Sequence, residues 1–178
     1  MLTIKLPDGS KREFKSPVTG EFIANEISKS LAKEAVAVSV DGELWDLSRD
    51  ITSDASIEVI KRDSPEGLEI LRHDAAHILA EAVKELWPET QVTIGPAIDN
   101  GFYYDFARDE PFTPEDLEII LKRMLEIVKR DESITREIWK RKTAIDFFRK
   151  TGEEYKAQII EDIPKEETLT LYRQGDFI

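Results

Sequence analysis

The sequence predicts an α+β protein made of two successive domains, a small strand-rich one and a larger one that combines helices with an antiparallel sheet. Three observations carry this expectation. The first sixty residues hold short alternating segments separated by turn residues, with one helical pattern among them. The remainder holds two long amphipathic helical patterns on either side of an aromatic hairpin. Between the two lies the polar, breaker-rich run Arg62-Asp-Ser-Pro-Glu-Gly67. With 178 residues, 40% of them hydrophobic, the chain has enough apolar material for a core in each part.

Within residues 1–62, Leu2-Thr-Ile-Lys-Leu6 alternates as a half-buried strand, and Pro7-Asp-Gly-Ser10 has turn composition before a second strand at residues 11–14. Thr19 or Gly20 starts a helix whose apolar positions Phe22, Ile23, Ile27 and Leu31 keep helical spacing. Strands at residues 35–40 and 43–47, joined by an Asp41-Gly42 turn, and another at 56–61 complete the domain. A hairpin, a helix and then more strands is the order of a β-grasp, or ubiquitin-like, roll.

Residues 63–178 form the larger domain. It opens with a helical pattern that Pro88 ends. Residues 92–98 and 102–106 read as strands around an Asp99-Asn-Gly101 turn. Thr113-Pro-Glu-Asp116 is a helix start, with a capping hydroxyl, a proline in the first turn and acids where the helix dipole favours them. Leu117, Ile120, Leu121, Met124, Ile127 and Val128 continue that helix to about Arg130. A strand near residues 133–140 follows, then a short helix capped by Thr143 that stops by Gly152. The last residues, Leu171-Tyr-Arg-Gln-Gly-Asp-Phe-Ile178, are strand-like without a polar tail, as in an unfinished domain.

Composition narrows the function. No apolar run approaches the roughly eighteen residues of a membrane span, and the amino terminus lacks a signal-peptide pattern, so the reading is a cytoplasmic protein without a membrane partner. The absence of cysteine removes disulfides and thiolate zinc sites. A net charge of −12 argues against a general nucleic-acid binder. One stretch departs from that balance: Arg136, Lys140, Arg141, Lys142, Arg149 and Lys150 face only Glu137 and Asp146, as either a solvated helix face or a polyanion surface.

His73 and His77 are the only histidines, four apart on the first helix of the larger domain. With Leu71 at zero on a helical wheel, Ala75, Ile78, Leu79, Ala82 and Leu86 gather in a sector of roughly 100°, while the histidines fall at about 200° and 240°. They face away from that apolar stripe, toward solvent or a cleft formed elsewhere in the chain. Imidazoles at i and i+4 can share a ligand, a water or a metal, and near pH 7 they serve as neutral proton acceptors. Spacing alone fits ordinary exposed polarity equally well. Asp74 takes the place of the glutamate of a zinc-protease helix, and two ligands fall short of the three usual at catalytic zinc, so no metal ligand is assigned.

Two further elements stand out. In Ile94-Gly-Pro-Ala-Ile-Asp-Asn-Gly-Phe-Tyr-Tyr-Asp-Phe106 the glycines permit close backbone approach and the tyrosines offer ring faces and hydroxyls, either for a ligand or for hairpin packing. In Gly152-Glu-Glu-Tyr-Lys156 a lysine follows a helix stop, and its spacing alone marks only a surface residue.

These pieces, in this order, resemble the amino-terminal part of bacterial threonyl-tRNA synthetases along the whole chain. The first sixty residues are similar to the TGS domain. Arg72-His-Asp-Ala-Ala-His77, Leu86-Trp-Pro88, Ile94 to Asp105 and Glu154-Tyr-Lys156 are similar to the editing domain that follows it. The resemblance implies hydrolysis of serine wrongly esterified to threonine tRNA. A threonine pocket rejects a side chain one methyl smaller by only about 1–3 kcal/mol, so a second site must remove the error. It implies that His73 and His77 bind substrate and position or activate water, that Lys156 holds polar groups of the seryl end, and that Gly95 and Tyr104 line the pocket. It also places a Cys-x-x-x-His segment, the aminoacylation core with its ATP, magnesium and zinc, and the homodimer contact beyond Ile178, leaving no cofactor to this part. The related alanyl-tRNA editing domains hold zinc with a similar residue set, which keeps a small metallohydrolase open as a reading. The rival from another class is a non-enzymatic RNA-binding or regulatory β-grasp module that docks through the basic stretch.

Overall fold

A computed structural model describes all 178 residues, which gather into two compact units, Met1–Arg72 and His73–Ile178. In the first, β1 (Leu2–Lys5) and β2 (Lys11–Phe14) form an antiparallel hairpin with Leu2 opposite Phe14. The Pro7-Asp-Gly-Ser10 turn is closed by Asp8, whose carboxylate accepts from the Ser10 amide at 2.9 Å, while Gly9 takes a positive φ of 82°. β3 (Val18–Thr19) leads into α1 (Gly20–Ile27), and the Thr19 hydroxyl caps it by accepting from the Phe22 amide.

The helix expected to reach Leu31 is interrupted. Ser28 is extended, and its hydroxyl caps a second short helix, α2 (Lys29–Glu34). A serine whose side chain competes for backbone amides accounts for the break. β4 (Ala35–Val40) and β5 (Glu43–Trp45) turn at Asp41-Gly42, both with positive φ, as a two-residue hairpin of the primed type requires. β6 (Asp50–Ile51) pairs with β3, and β7 (Ala55–Lys61) enters the main sheet parallel to β1, giving the order β2-β1-β7-β4-β5. First and last strands running parallel in the middle of the sheet, behind a helix, make this unit a ubiquitin-like β-grasp. Its core includes Ile4, Ile23, Val38, Ile51 and Ile57, each no more than 2% exposed.

The breaker-rich run after β7 is the entry to α3 (Pro65–Leu86), where the Ser64 hydroxyl accepts from the Gly67 amide and proline occupies the first helical position. Its carboxyl half packs on α4 (Pro114–Arg130). Ala82, Val83, Ile120 and Ile127 are buried between them, and Leu86, Trp87, Phe106, Phe112 and Met124 close the edges. The Thr113 hydroxyl caps α4 as the sequence predicts, and the Asp116 carboxylate accepts from the Thr113 amide in return, completing a capping box. Leu117, Leu121 and Val128, also expected on the apolar face, are 55–60% exposed, because Ile120, Met124 and Ile127 alone supply the stripe that meets α3.

Between these helices, β8 (Gln91–Val92), β9 (Ala97–Ile98), β10 (Gly101–Phe102) and β11 (Phe106–Ala107) form a long hairpin in two short antiparallel ladders, β9 with β10 and β8 with β11. The two continuous strands expected here are broken in the middle, where Pro96 has no amide to donate. β12 (Ile134–Ile138), α5 (Arg141–Lys150), α6 (Glu154–Asp162) and β13 (Thr170–Gln174) complete the unit, with β12 and β13 antiparallel and Arg136 opposite Tyr172. Ala144, Phe148, Ala157, Ile160 and Leu169 form their core. Two expectations are corrected here. α5 begins at Arg141, so Thr143 lies inside it and caps nothing, and α6 is a helix the sequence reading did not place. The fold is α+β with several antiparallel sheets. No helix is long and apolar enough to cross a membrane.

Candidate functional site

Helical spacing brings the two imidazoles of α3 into contact. His73 Nε2 and His77 Nε2 stand 3.0 Å apart, with the rings edge to face at 4.6 Å and 79°. One nitrogen donates to the other, and which one does so depends on the tautomer. The histidine face is not turned away from the fold's interior as a whole. Ala76 and Ala80, beside the histidines on the wheel, are 1% and 0% exposed, so α3 is buried along this face as well as along the apolar stripe. His73 is exposed and His77 half-buried. Burial, and after it the charges of His73 and Lys156, holds the His77 imidazole down at about 4, so it is neutral at pH 7.

Lys156 lies in the first turn of α6. Its ammonium sits over the rings of Phe148 at 5.2 Å and Phe177 at 4.8 Å and donates to the Ile178 carbonyl at 2.6 Å. Burial lowers it to about 8, against the pull of the Glu153 carboxylate upward, with Lys84 reinforcing the drop. At pH 7 the ammonium is mostly charged.

Gly95 and Tyr104 touch across the gap in the hairpin. A Cβ on Gly95 would stand 2.1 Å from Tyr104 Cδ2, so any side chain there collides with the ring. Tyr104 stacks on Phe106 at 4.8 Å and 20°, which carries the contact into the α3–α4 core. Burial, with the Glu153 charge, raises the phenol to about 12, so it stays protonated and able to donate.

The five residues named from the sequence thus form two direct pairs, His73 with His77 and Gly95 with Tyr104. Lys156 is close enough for its charge to act on His77. What links the groups is Glu153, 6% exposed, which influences both Tyr104 and Lys156 and pairs with Lys84 at 2.5 Å. The sequence reading missed both members of that pair. Lys84 was legible, since it falls at about 220° on the wheel, between the two histidines. Glu153 carried no signal, because nothing in Gly-Glu-Glu-Tyr distinguishes a buried carboxylate from an exposed one.

No group of three or more His, Cys, Asp or Glu side chains is placed to hold a metal ion. Much of the basic stretch is engaged internally. Arg141 donates to the Ile160 and Pro164 carbonyls, Lys142 pairs with Asp146, and Arg149 pairs with Glu154 and Glu161.

Comparison with known proteins agrees with this architecture. The family model of the TGS domain matches residues 2–61. A threonine–tRNA ligase of Parvibaculum lavamentivorans is 57% identical over 178 residues, which is all of this chain and 27% of that protein. One from Rhodospirillum rubrum is 58% identical over 100% of this chain and 28% of its own length, and one from Phenylobacterium zucineum is 60% identical over 99% and 27%. The chain spans little more than a quarter of the length of the curated relatives it matches. From end to end it corresponds to the amino-terminal part of bacterial threonine–tRNA ligases, with a TGS domain at residues 2–61.

Proposed function

We propose that residues 63–178 belong to a hydrolytic editing domain, preceded by a TGS domain at residues 1–62, and that together with the rest of a cytoplasmic threonyl-tRNA synthetase they remove serine from threonine tRNA. The observation that carries this reading is the His77 imidazole, kept neutral at pH 7 by burial, in contact with His73 and under the charge of Lys156. Ester hydrolysis needs a group that takes a proton from the attacking water, and a neutral imidazole does so without first losing a proton of its own. The Lys156 ammonium is suited to hold the polar groups of the seryl end. Gly95 and Tyr104 give a wall fixed by contact on both sides. ATP, magnesium, zinc and the homodimer contact belong, on this reading, to the aminoacylation core outside these residues.

In the basic stretch Arg141 and Arg149 already have partners within the fold, which weakens the RNA-docking alternative, while the solvent-exposed Lys142–Asp146 pair stays open to it. The direct test is deacylation of seryl-tRNA by the protein extended past Ile178, with His73→Ala and His77→Ala compared with the unmodified protein. Loss of about 100-fold or more in each is expected, the range of a removed acid–base group. Undiminished hydrolysis in both variants overturns the assignment.

A further inference from the structure

Glu153 immediately precedes α6, and its backbone carbonyl accepts the first helical hydrogen bond, from the Ala157 amide at 3.1 Å. Its side chain does not cap the helix. It turns into the protein instead, where one oxygen meets Lys84 Nζ at 2.5 Å and the other accepts from the Val92 amide at 3.4 Å. Lys84 also donates to the Pro88 and Thr90 carbonyls at 2.6 and 3.0 Å, so its bonds to backbone fall between the end of α3 and the approach to β8. One carboxylate therefore ties together the helix that bears the histidines, the hairpin that bears Gly95 and Tyr104, and the turn that launches Lys156.

Stability alone is a weak explanation for such a pair. Desolvating two charges costs several kcal/mol, and apolar replacements of similar volume are often as stable or more so. What an apolar pair cannot supply is direction: a bond to a backbone amide, a bond across to α3, and a negative charge one helical turn from Lys156. We infer that Lys84 and Glu153 are the positioning pair of the proposed hydrolytic site, with Glu153 fixing Lys156 and the Tyr104 hairpin against the histidine face of α3. The inference rests on the hydrolytic reading. The titratable groups around Lys156 are Glu153 on its own segment, Lys84 and His77 on α3, and, in the 178-residue chain itself, the carboxylate of Ile178, whose oxygen accepts from Lys156 at 2.6 Å. Glu153 favours the charged ammonium, as the Ile178 oxygen does, and its removal shortens the pH range in which Lys156 remains a cation.

The test is titration of Lys156 by NMR of lysine side chains in the 178-residue chain, comparing the unmodified protein with Glu153→Gln and Glu153→Asp. Glu153→Gln should move the Lys156 midpoint below about 8, and Glu153→Asp, which keeps the charge, should bring it back. In the extended protein the alkaline limb of seryl-ester hydrolysis should move the same way, with kcat/KM above about pH 8 down by about tenfold for each pKa unit of charge loss in Glu153→Gln and recovered in Glu153→Asp. If Glu153→Gln fails to fold because Lys84 is left as an unpaired cation, the double variant Lys84→Met/Glu153→Gln removes that cation and is compared with Lys84→Met alone, so that the Glu153 charge is again the only difference. A Lys156 midpoint and alkaline limb that stay where they are in a folded variant overturn the inference. They leave the hydrolytic reading standing, because that reading depends on the histidine variants.

Discussion

At Gly95 a single hydrogen in place of a side chain decides how closely the hairpin packs on the Tyr104 ring. With Tyr104 Cδ2 2.1 Å from where a Cβ would be, Gly95→Ala forces the ring off its stack with Phe106 or pushes the hairpin apart. A loss of about 1–3 kcal/mol in urea unfolding is expected, the range for overpacking a close contact. An unchanged midpoint would show that the hairpin absorbs a methyl group freely. His77 makes a second prediction at this scale. Its residue type alone implies activity falling as pH drops through about 6.5. Burial moves its own titration to about 4, so hydrolysis that depends on neutral His77 should stay level from pH 7 to about 5 and fall only below that. A fall centred near 6.5 would assign the titrating group to another residue.

Between α3 and α4 the same chemistry acts at the scale of whole elements. Glu85 accepts from Arg130 at 2.6 Å and from Arg123 at 2.8 Å, and chiefly the Arg130 bond holds its carboxyl down at about 2. Glu81, one turn earlier and 4% exposed, has only a 3.4 Å contact with Arg130, and one of its oxygens has no partner. Burial, followed by the Glu85 charge, raises Glu81 to about 7. The folded state then keeps a proton that the unfolded chain has released, so Glu81 subtracts stability as pH rises from about 4.5 to 7. His77 acts oppositely. Its depressed midpoint means the unfolded chain takes up a proton that the fold refuses, so stability rises with pH from about 4 to 6.5. In Glu81→Gln only the second effect remains, and the urea midpoint should climb more steeply between pH 4.5 and 6.5 than in the unmodified chain. Parallel curves would contradict the buried, proton-holding state of Glu81.

For the molecule as a whole, the sequence determined those features that one local rule controls. The Asp41-Gly42 turn, the Thr19 and Thr113 caps and the β-grasp order follow from turn chemistry, capping oxygens and hydrophobic period, and each acts within a few residues. The histidine contact is equally local, since i and i+4 on a helix must be neighbours. Competition between rules was not legible. Ser28 breaks a helix whose apolar spacing continues, and α5 begins before its apparent cap at Thr143. Nor could sequence distinguish Ile120 from Leu121 as core, because a wide apolar stripe does not reveal which part of it a partner helix covers. Only the tertiary structure decided that Lys156, an ordinary surface residue by its spacing, is half-buried against two rings, and that Glu153 joins residues sixty-one positions apart. The physical reason is range: turn and cap energies are set by adjacent residues, whereas the burial and field that tune a charge come from whichever distant segments the fold packs around it.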